Sequence, residues 1–377
     1  MAKKIFTALG LMSGTSMDGV DVAMLTTDGD AMLEMAGTFS LPYTPEQRRQ
    51  LEAGLTDAKA ITNREERPGA LADLETASTE WHADAVSKFL QTHNISRSEI
   101  DVIGYHGQTV LHRPDQALTV QLGLGEMLAE RTGIDVVYDM RADDMLKGGQ
   151  GAPLVPVFHR ALSVAHHITL PAVFVNIGGI SNVTYIGTDG GFIAFDSGPG
   201  NALIDQWLQS EGGLPFDQGG RIASEGRIVQ TIADRYLASP YFEAALPKSL
   251  DRLDFPPLTS GEAELSDGAR TLAHVSAEAI VMAADHFPEI PKSWIISGGG
   301  RLNDTMMNDL RNLVAERNLG SVMMAEELEM DGDMLEAQAF AYLAVRSLLG
   351  LPLTFPGTTG CREETTGGIL AKANAVG

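Results

Sequence analysis

Two apolar, strand-like stretches at residues 5–12 and 20–26 are joined by a seven-residue turn, 13–19, in which every side chain except that of Met17 is small or polar. An antiparallel pair closes comfortably through two residues, so folding alone does not ask for this turn. The twelve residues from Gly10 to Asp21 hold three glycines, three hydroxyls and two aspartates. Main-chain N–H groups of such a turn can wrap a phosphate, with the hydroxyls as further donors. Asp18 or Asp21 is then placed to hold Mg²⁺, directly or through water. An ordinary solvent turn is the plainer reading, and the density of polar groups argues against it.

The rest of the chain supplies an α/β pattern. Helical periodicity covers 45–60 and 68–93, strands are expected at 100–105, 118–122 and 134–138, and a helix at 123–131. The glycine-rich run 143–153 is the expected interdomain crossing. Strands then resume at 172–177, 182–186 and 192–196, with Gly178-Gly179 as a turn. Helices are expected at 202–209, 221–238, 268–287, 304–316 and 334–349, and a short buried strand at 294–297. Each half thus opens on a hairpin with a glycine-rich turn, adds a further strand and continues in helices. The expected fold is two related α/β domains, 1–145 and 146–341, with 342–377 returning to the first and a cleft between the two. The crossings near 143–151 and 333–341 are the expected hinges.

Charge narrows the partners. With 27 Lys and Arg against 50 Asp and Glu, the net charge is −23. That disfavours nucleic acid or an anionic membrane as a partner. Cys361 is the single cysteine, which excludes an internal disulfide and a cysteine-rich zinc site. No leader or membrane-spanning stretch is evident, so a cytoplasmic location is expected. There is no Gly-Lys-Ser or Gly-Lys-Thr, and the first turn joins two strands, so it is not a Walker loop. The dinucleotide-binding fingerprint, Gly-x-Ser-x-Gly and His-Glu-x-x-His are also missing.

Phe195-Asp196-Ser197-Gly198-Pro199-Gly200-Asn201 puts a carboxylate at the expected end of an apolar strand. Asp196 there reads equally as a general base or as a turn residue. The triglycine Gly298-Gly299-Gly300 follows a strand and lets a flat ring approach the backbone, or simply turns the chain. His106, in Tyr105-His-Gly-Gln-Thr109, is either a contact in the cleft or a satisfied turn histidine. Glu336 taken alone is an ordinary helical carboxylate.

Taken together, Gly10–Asp21, Gly104–Thr109, Gly148–Leu154, Asn176–Asn182, Phe195–Asn201, the triglycine and Glu336-Ala-Gln-Ala-Phe340 resemble the anhydro-N-acetylmuramic acid kinase family, in register along nearly the whole chain. The resemblance implies the actin-like ATPase (ribonuclease H-like) fold, with two domains flanking a central nucleotide cleft that closes on its ligands. It implies an ATP- and Mg²⁺-dependent enzyme that opens the 1,6-anhydro ring of anhydro-N-acetylmuramic acid with water and phosphorylates the freed 6-oxygen, in cell-wall recycling. By the same resemblance Asp196 is the base that activates water and Glu336 orients the water or the sugar. Residues Gly14, Thr15, Ser16, Met17, Asp18, Gly19, Val20 and Asp21 hold the ATP phosphates, with Asp18 and Asp21 toward the metal. Gly178, Gly179 and Gly298–Gly300 complete the nucleotide contacts. Ser13, His106, Gln108 and Arg141 face the sugar, Arg141 taking its lactyl carboxylate as a guanidinium fork. Met140 stands where the family is expected to carry an aromatic. A homodimer is the family-like expectation. Two other readings stay open: a kinase of the same superfamily for another small molecule, and a slow nucleotide switch.

Overall fold

β1 (Phe6–Ser13) has both faces covered, with Ala8, Leu9 and Leu11 fully buried, as a central strand must. The structure is a computed structural model that describes residues 4–14, 16–250 and 254–374. In its first sheet β1 pairs antiparallel with β2 (Gly19–Thr27), which pairs antiparallel with β3 (Leu33–Pro42). On its other side β1 runs parallel to β4 (Val102–Arg113). β4 in turn pairs antiparallel with β5 (Leu118–Leu122) and parallel with β6 (Val136–Tyr138). The second sheet repeats the plan. β7 (Ala172–Ile177), β8 (Ile180–Ile186) and β9 (Phe192–Pro199) form an antiparallel meander. β10 (Ser293–Ser297) and β11 (Ser321–Met324) extend it in parallel from β7. Both sheets therefore share the core order third, second, first, fourth strand; β11 follows in the second sheet and β6 in the first, where β5 pairs with β4 off this path.

Five helices matter below: α1 (Leu71–His93), α2 (Ala202–Gly212), α3 (Leu265–Met282), α4 (Asp304–Glu316) and α5 (Leu335–Leu348). α1 packs Leu71, Leu74, Val86 and Phe89 into the first core and ends at Asn94 in the left-handed conformation. α3 places Leu272, Val275 and Ile280 in the second core beside Trp207 and Trp294. α4 starts at Asn303, whose side-chain oxygen accepts from the Met306 N–H at 3.0 Å. α5 is buried nearly all round, and it seats on bare backbone. Gly10 and Gly104 stand opposite each other on β1 and β4. A Cβ on Gly10 would meet the Ala337 carbonyl oxygen, and one on Gly104 the Phe340 carbonyl oxygen.

The chain divides into two compact units, after Ala165 and again before Met334. The sequence pattern places these divisions near 145 and 341. The glycine run is an internal loop of the first unit: Asp144 accepts from Thr359 Oγ1 at 2.6 Å and from the Gly151 N–H at 2.7 Å. Beyond it, the Phe158 ring still packs on Tyr342 of α5 with centroids 5.5 Å apart. All of α5, from Leu335 onward, belongs to the first unit. Two expected strand ends also move. β4 runs on through His106 to Arg113, because residues 108–113 find a partner in β5. β9 continues past Asp196 to Pro199, because β8 still pairs with it beyond a register shift at Ser181–Asn182. The expected helix at 221–238 is two, Arg221–Glu225 and Gln230–Leu237, broken at Gly226. No helix among the described residues is long and apolar enough to cross a membrane.

Candidate active site

In the first unit the turn after β1 is held from below. Ser13 and Gln108 face each other in register and both are buried. Ser13 Oγ donates to Gln108 Oε1 at 2.5 Å and lies 2.8 Å from the Tyr43 hydroxyl, while Gln108 Nε2 donates to the Gly14 carbonyl at 3.3 Å. Burial pushes the Tyr43 hydroxyl up to about 12, so it stays a donor at any working pH. Ser13 and Gln108 are thus occupied with one another and with the turn. Met17 adopts a left-handed φ of 54°, and its N–H donates to the Gly14 carbonyl at 3.1 Å. Gly14 has room, since the nearest atom to a Cβ there is Ser16 Oγ at 3.5 Å. Gly19, Val20 and Asp21 already belong to β2, and the Val20 side chain is wholly in the core, leaving only its backbone to a ligand. Thr15 lies outside the described residues.

Behind the turn, the side chains of His106, Arg141 and Glu336 act on one another. His106 Nδ1 lies 2.8 Å from the Gly107 carbonyl, and Arg141 Nη2 lies 3.0 Å from His106 Nε2. A neutral imidazole donating from Nδ1 and accepting at Nε2 satisfies both contacts. Burial and the Arg141 charge hold the His106 pKa well below its usual value, so that form persists. Arg141 Nη1 also donates to the Gly151 carbonyl at 2.7 Å, while its buried Nε has no partner among the described residues. Desolvation brings the guanidinium down to about 10, with Glu336 and Asp144 opposing that fall. Glu336, in the first turn of α5, has its pKa raised by desolvation and by the Asp21 charge, against the pull of Arg141. No side-chain hydrogen bond fixes its carboxylate among the described residues. Two of five guanidinium donors are used, so Arg141 keeps N–H groups to offer an anion.

Asp18 and Asp21 were the candidate metal ligands. Asp18 is exposed and accepts from Arg48 Nη2 at 2.8 Å, and Asp21 accepts from Ser40 Oγ at 2.6 Å. Among the described residues no group of three or more His, Cys, Asp or Glu is gathered as for a metal. Two hard carboxylate oxygens suit Mg²⁺, which keeps most of its shell as water and phosphate oxygens. The residues present therefore fit a phosphate-bound Mg²⁺ and no dedicated protein cage.

In the second unit, Gly178, Gly179, Asn201 and the triglycine come together. The Asn201 N–H donates to the Gly178 carbonyl at 2.8 Å, and the Gly200 N–H to the Gly179 carbonyl at 3.0 Å. Asn201 Nδ2 donates to the Ile177 carbonyl at 3.3 Å. The three consecutive glycines differ. Gly298 has a φ of 77°, and a Cβ there would meet Asn176; one on Gly300 would meet Ile177. A Cβ on Gly299 would find only Asn201 Nδ2, at 3.9 Å. Packing explains the outer two glycines and leaves the middle one open, as a surface against which a flat ring could lie. Arg301, which sequence reasoning passed over, is buried and binds Asp333 through both Nη atoms at 2.7 and 2.9 Å, with Glu326 at 2.7 Å from Nε. Its Nη1 also reaches the Gly298 carbonyl at 3.0 Å, so it clamps the turn.

Asp196 is held by a different segment. Its Oδ2 accepts the Leu250 N–H at 2.8 Å, and the Tyr241 hydroxyl donates to its main-chain carbonyl at 2.5 Å. Burial raises its pKa from 3.8 to about 6, against the lowering by that single N–H. A carboxylate poised there is ionised at neutral pH and still basic enough to take a proton.

Two units that repeat one meander-plus-parallel sheet, with polar turns after the first strand of each, define the actin-like ATPase fold class. Within it the family is settled by sequence comparison. The chain belongs to the anhydro-N-acetylmuramic acid kinase family, whose model matches residues 6–373. It is 55% identical over 372 residues to the anhydro-N-acetylmuramic acid kinase of Agrobacterium fabrum, covering 98% of this chain and all of that one. It is 54% identical over 368 residues to the enzyme of the same name from Rhizobium johnstonii, covering 97% and 99%. Among solved structures it is similar to the activator of the 2-hydroxyisocaproyl-CoA dehydratase from Clostridium difficile, with a TM-score of 0.45 and 10% identity over 91% of this chain and 96% of that one.

Proposed function

We propose that this chain is an ATP-dependent kinase that hydrolyses the 1,6-anhydro bridge of 1,6-anhydro-N-acetylmuramic acid and phosphorylates the released 6-oxygen. The observation that carries this reading is Asp196, a partly buried carboxylate with its pKa near 6 and one N–H donor. A plain alcohol kinase needs a base for its hydroxyl. Here the acceptor oxygen is tied up in an acetal, and the base serves water instead. Asp196 takes a proton from water as the water oxygen bonds to the anomeric carbon. The bond from that carbon to the 6-oxygen breaks, and its electron pair stays on the 6-oxygen. That oxygen is then the nucleophile for the terminal phosphorus of ATP, and ADP leaves. The proton remains on Asp196 until solvent takes it.

Arg141 presents its spare N–H groups to the substrate carboxylate, with His106 holding the guanidinium plane. Glu336, its pKa raised, orients water or a sugar hydroxyl. The backbone of 14–21 cradles the phosphates, and Ser13 and Gln108 act by fixing that turn. Gly178–Gly179 and Gly299 offer open backbone to the nucleoside. Mg²⁺, when bound, would be held by Asp18 and Asp21 and supplies neutralisation of the phosphate charge.

The test is a single incubation with the anhydro sugar, ATP and Mg²⁺ in ¹⁸O-water. The expected result is sugar 6-phosphate labelled at the anomeric oxygen, one ADP per product, and none from D196N, which still binds ATP. Unlabelled product, or turnover by D196N, would remove Asp196 as the base.

A further inference from the structure

The second unit contains a buried lysine that has no carboxylate partner among the described residues. Lys248 is 8% exposed. Its Nζ donates to the main-chain carbonyls of Tyr241 at 3.1 Å and Phe242 at 3.0 Å, and lies 2.9 Å from His286 Nε2. It also stands 5.2 Å from the ring centroid of Phe195 and 4.8 Å from that of Tyr241. Among the described residues this ammonium faces carbonyls, an imidazole and two π-faces, a costly setting for a charge. An apolar side chain would fill the same space more cheaply.

What surrounds it gives a reason. Every hydrogen bond shown for Asp196 beyond its strand comes from the segment this lysine ties together. The Tyr241 hydroxyl clips the Asp196 carbonyl at 2.5 Å, the Lys248 carbonyl accepts the Asp196 N–H at 3.4 Å, and the Leu250 N–H reaches the carboxylate at 2.8 Å. The ammonium joins residues 241–242 to residue 248, the two ends of that grip. Phe195, whose face it touches, is the residue before Asp196.

We propose that Lys248 is a positioning residue for Asp196: its ammonium staples the 241–242 turn to the 248–250 segment, so that the Leu250 N–H and the Tyr241 hydroxyl together set the direction and basicity of the carboxylate. The lysine does not touch substrate. This rests on Asp196 being the base. Among the described residues the titratable groups near the aspartate are Tyr241 and Lys248, with Asp254 acting on Tyr241 and His286 facing the lysine. Without the staple the Leu250 donor is lost, the carboxylate keeps its desolvation, and its pKa climbs further.

The experiment compares K248M, K248R, Y241F and D196N with the parent enzyme. It reads kcat and KM for the anhydro sugar from pH 5 to 9, ATP affinity by calorimetry, and fold by circular dichroism. In K248M, kcat at pH 7 is expected to fall roughly tenfold or more, KM to change less than about threefold and ATP affinity to hold. The acidic limb of kcat should move up by about one pH unit, loss of one N–H donor to a carboxylate. K248R should recover part of both. Y241F, which keeps the ring and removes only the clip, should move the limb the same way by less. An unmoved acidic limb in a folded K248M overturns the proposal. If K248M does not fold, an unmoved limb in Y241F overturns it instead. Full turnover by D196N removes the base assignment, and this proposal with it; an inactive D196N beside an unchanged K248M refutes the lysine's role alone.

Discussion

Replacing Asp196 by Asn should make the protein more stable while abolishing turnover. The magnitude follows from the site. Burial raises the carboxyl from 3.8 to about 6. At roughly 1.4 kcal/mol per pH unit, this means ionising the group costs the folded state about 3 kcal/mol. The sign is set by proton binding. Between pH 3.8 and 6 the folded protein holds the proton and the unfolded chain has released it, so stability declines as pH rises through that window. Above it the full cost is present, and below it none. Asn keeps an oxygen for the Leu250 N–H and carries no charge to desolvate. The assay is chemical denaturation of both proteins at pH 7.5 and again at pH 4, following the second unit through Trp207 and Trp294. The variant should gain about 2–3 kcal/mol at the higher pH and close to nothing at the lower. Equal or lower stability of D196N at pH 7.5 would refute the reasoning, because the aspartate would then not be paying for its burial. Such a gain is the signature of a group retained for chemistry at the expense of the fold.

Other expectations concern the remaining parts of the site. Gly299→Ala should fold normally yet weaken ATP binding, whereas Gly300→Ala, aimed at Ile177, should lose stability; calorimetric titration and thermal melts separate the two. Gly104→Ala should cost about 3 kcal/mol or more, because its Cβ points at the α5 main chain and no side chain can yield. In Arg141→Met the His106 imidazole should titrate at higher pH, since a neighbouring cation is removed, and its NMR titration curve would show no shift if the contact were incidental.

How much of this was readable in advance varies by element. The first hairpin announced itself through polar crowding in a short turn, and the repeat of the plan showed in the second half. The third strand of the first meander did not. Leu33–Pro42 has no fully buried residue, since β3 lies at the sheet edge, and its pattern is correspondingly faint. β4 was expected to stop at Tyr105 because His106-Gly107-Gln108-Thr109 looks like a turn, and only the distant pairing with β5 carries it onward. The run 143–153 reads as a crossing for a similar reason: glycines mark a bend without saying whether the chain leaves the unit or turns back within it. Glu336 had no local distinction; Arg141 and Asp21 make its surroundings unusual, and both lie far away in sequence. Tyr43, Arg48, Lys248 and Arg301 escaped notice because single polar residues carry no periodic signal, and their partners are set by tertiary structure.

The first unit is written in two pieces of chain, with the whole second unit between them. On the ribosome its sheet emerges early and then waits, with the glycine window of β1 and β4 uncovered, until α5 is translated. At roughly 5–20 residues per second that interval lasts on the order of ten to thirty seconds. The part encoded second can therefore finish first, and the sheet that carries the 13–19 turn is covered by almost the last helix to leave the tunnel. A nascent chain stalled before residue 335 should be a folded second unit trailing an open, chaperone-seeking sheet.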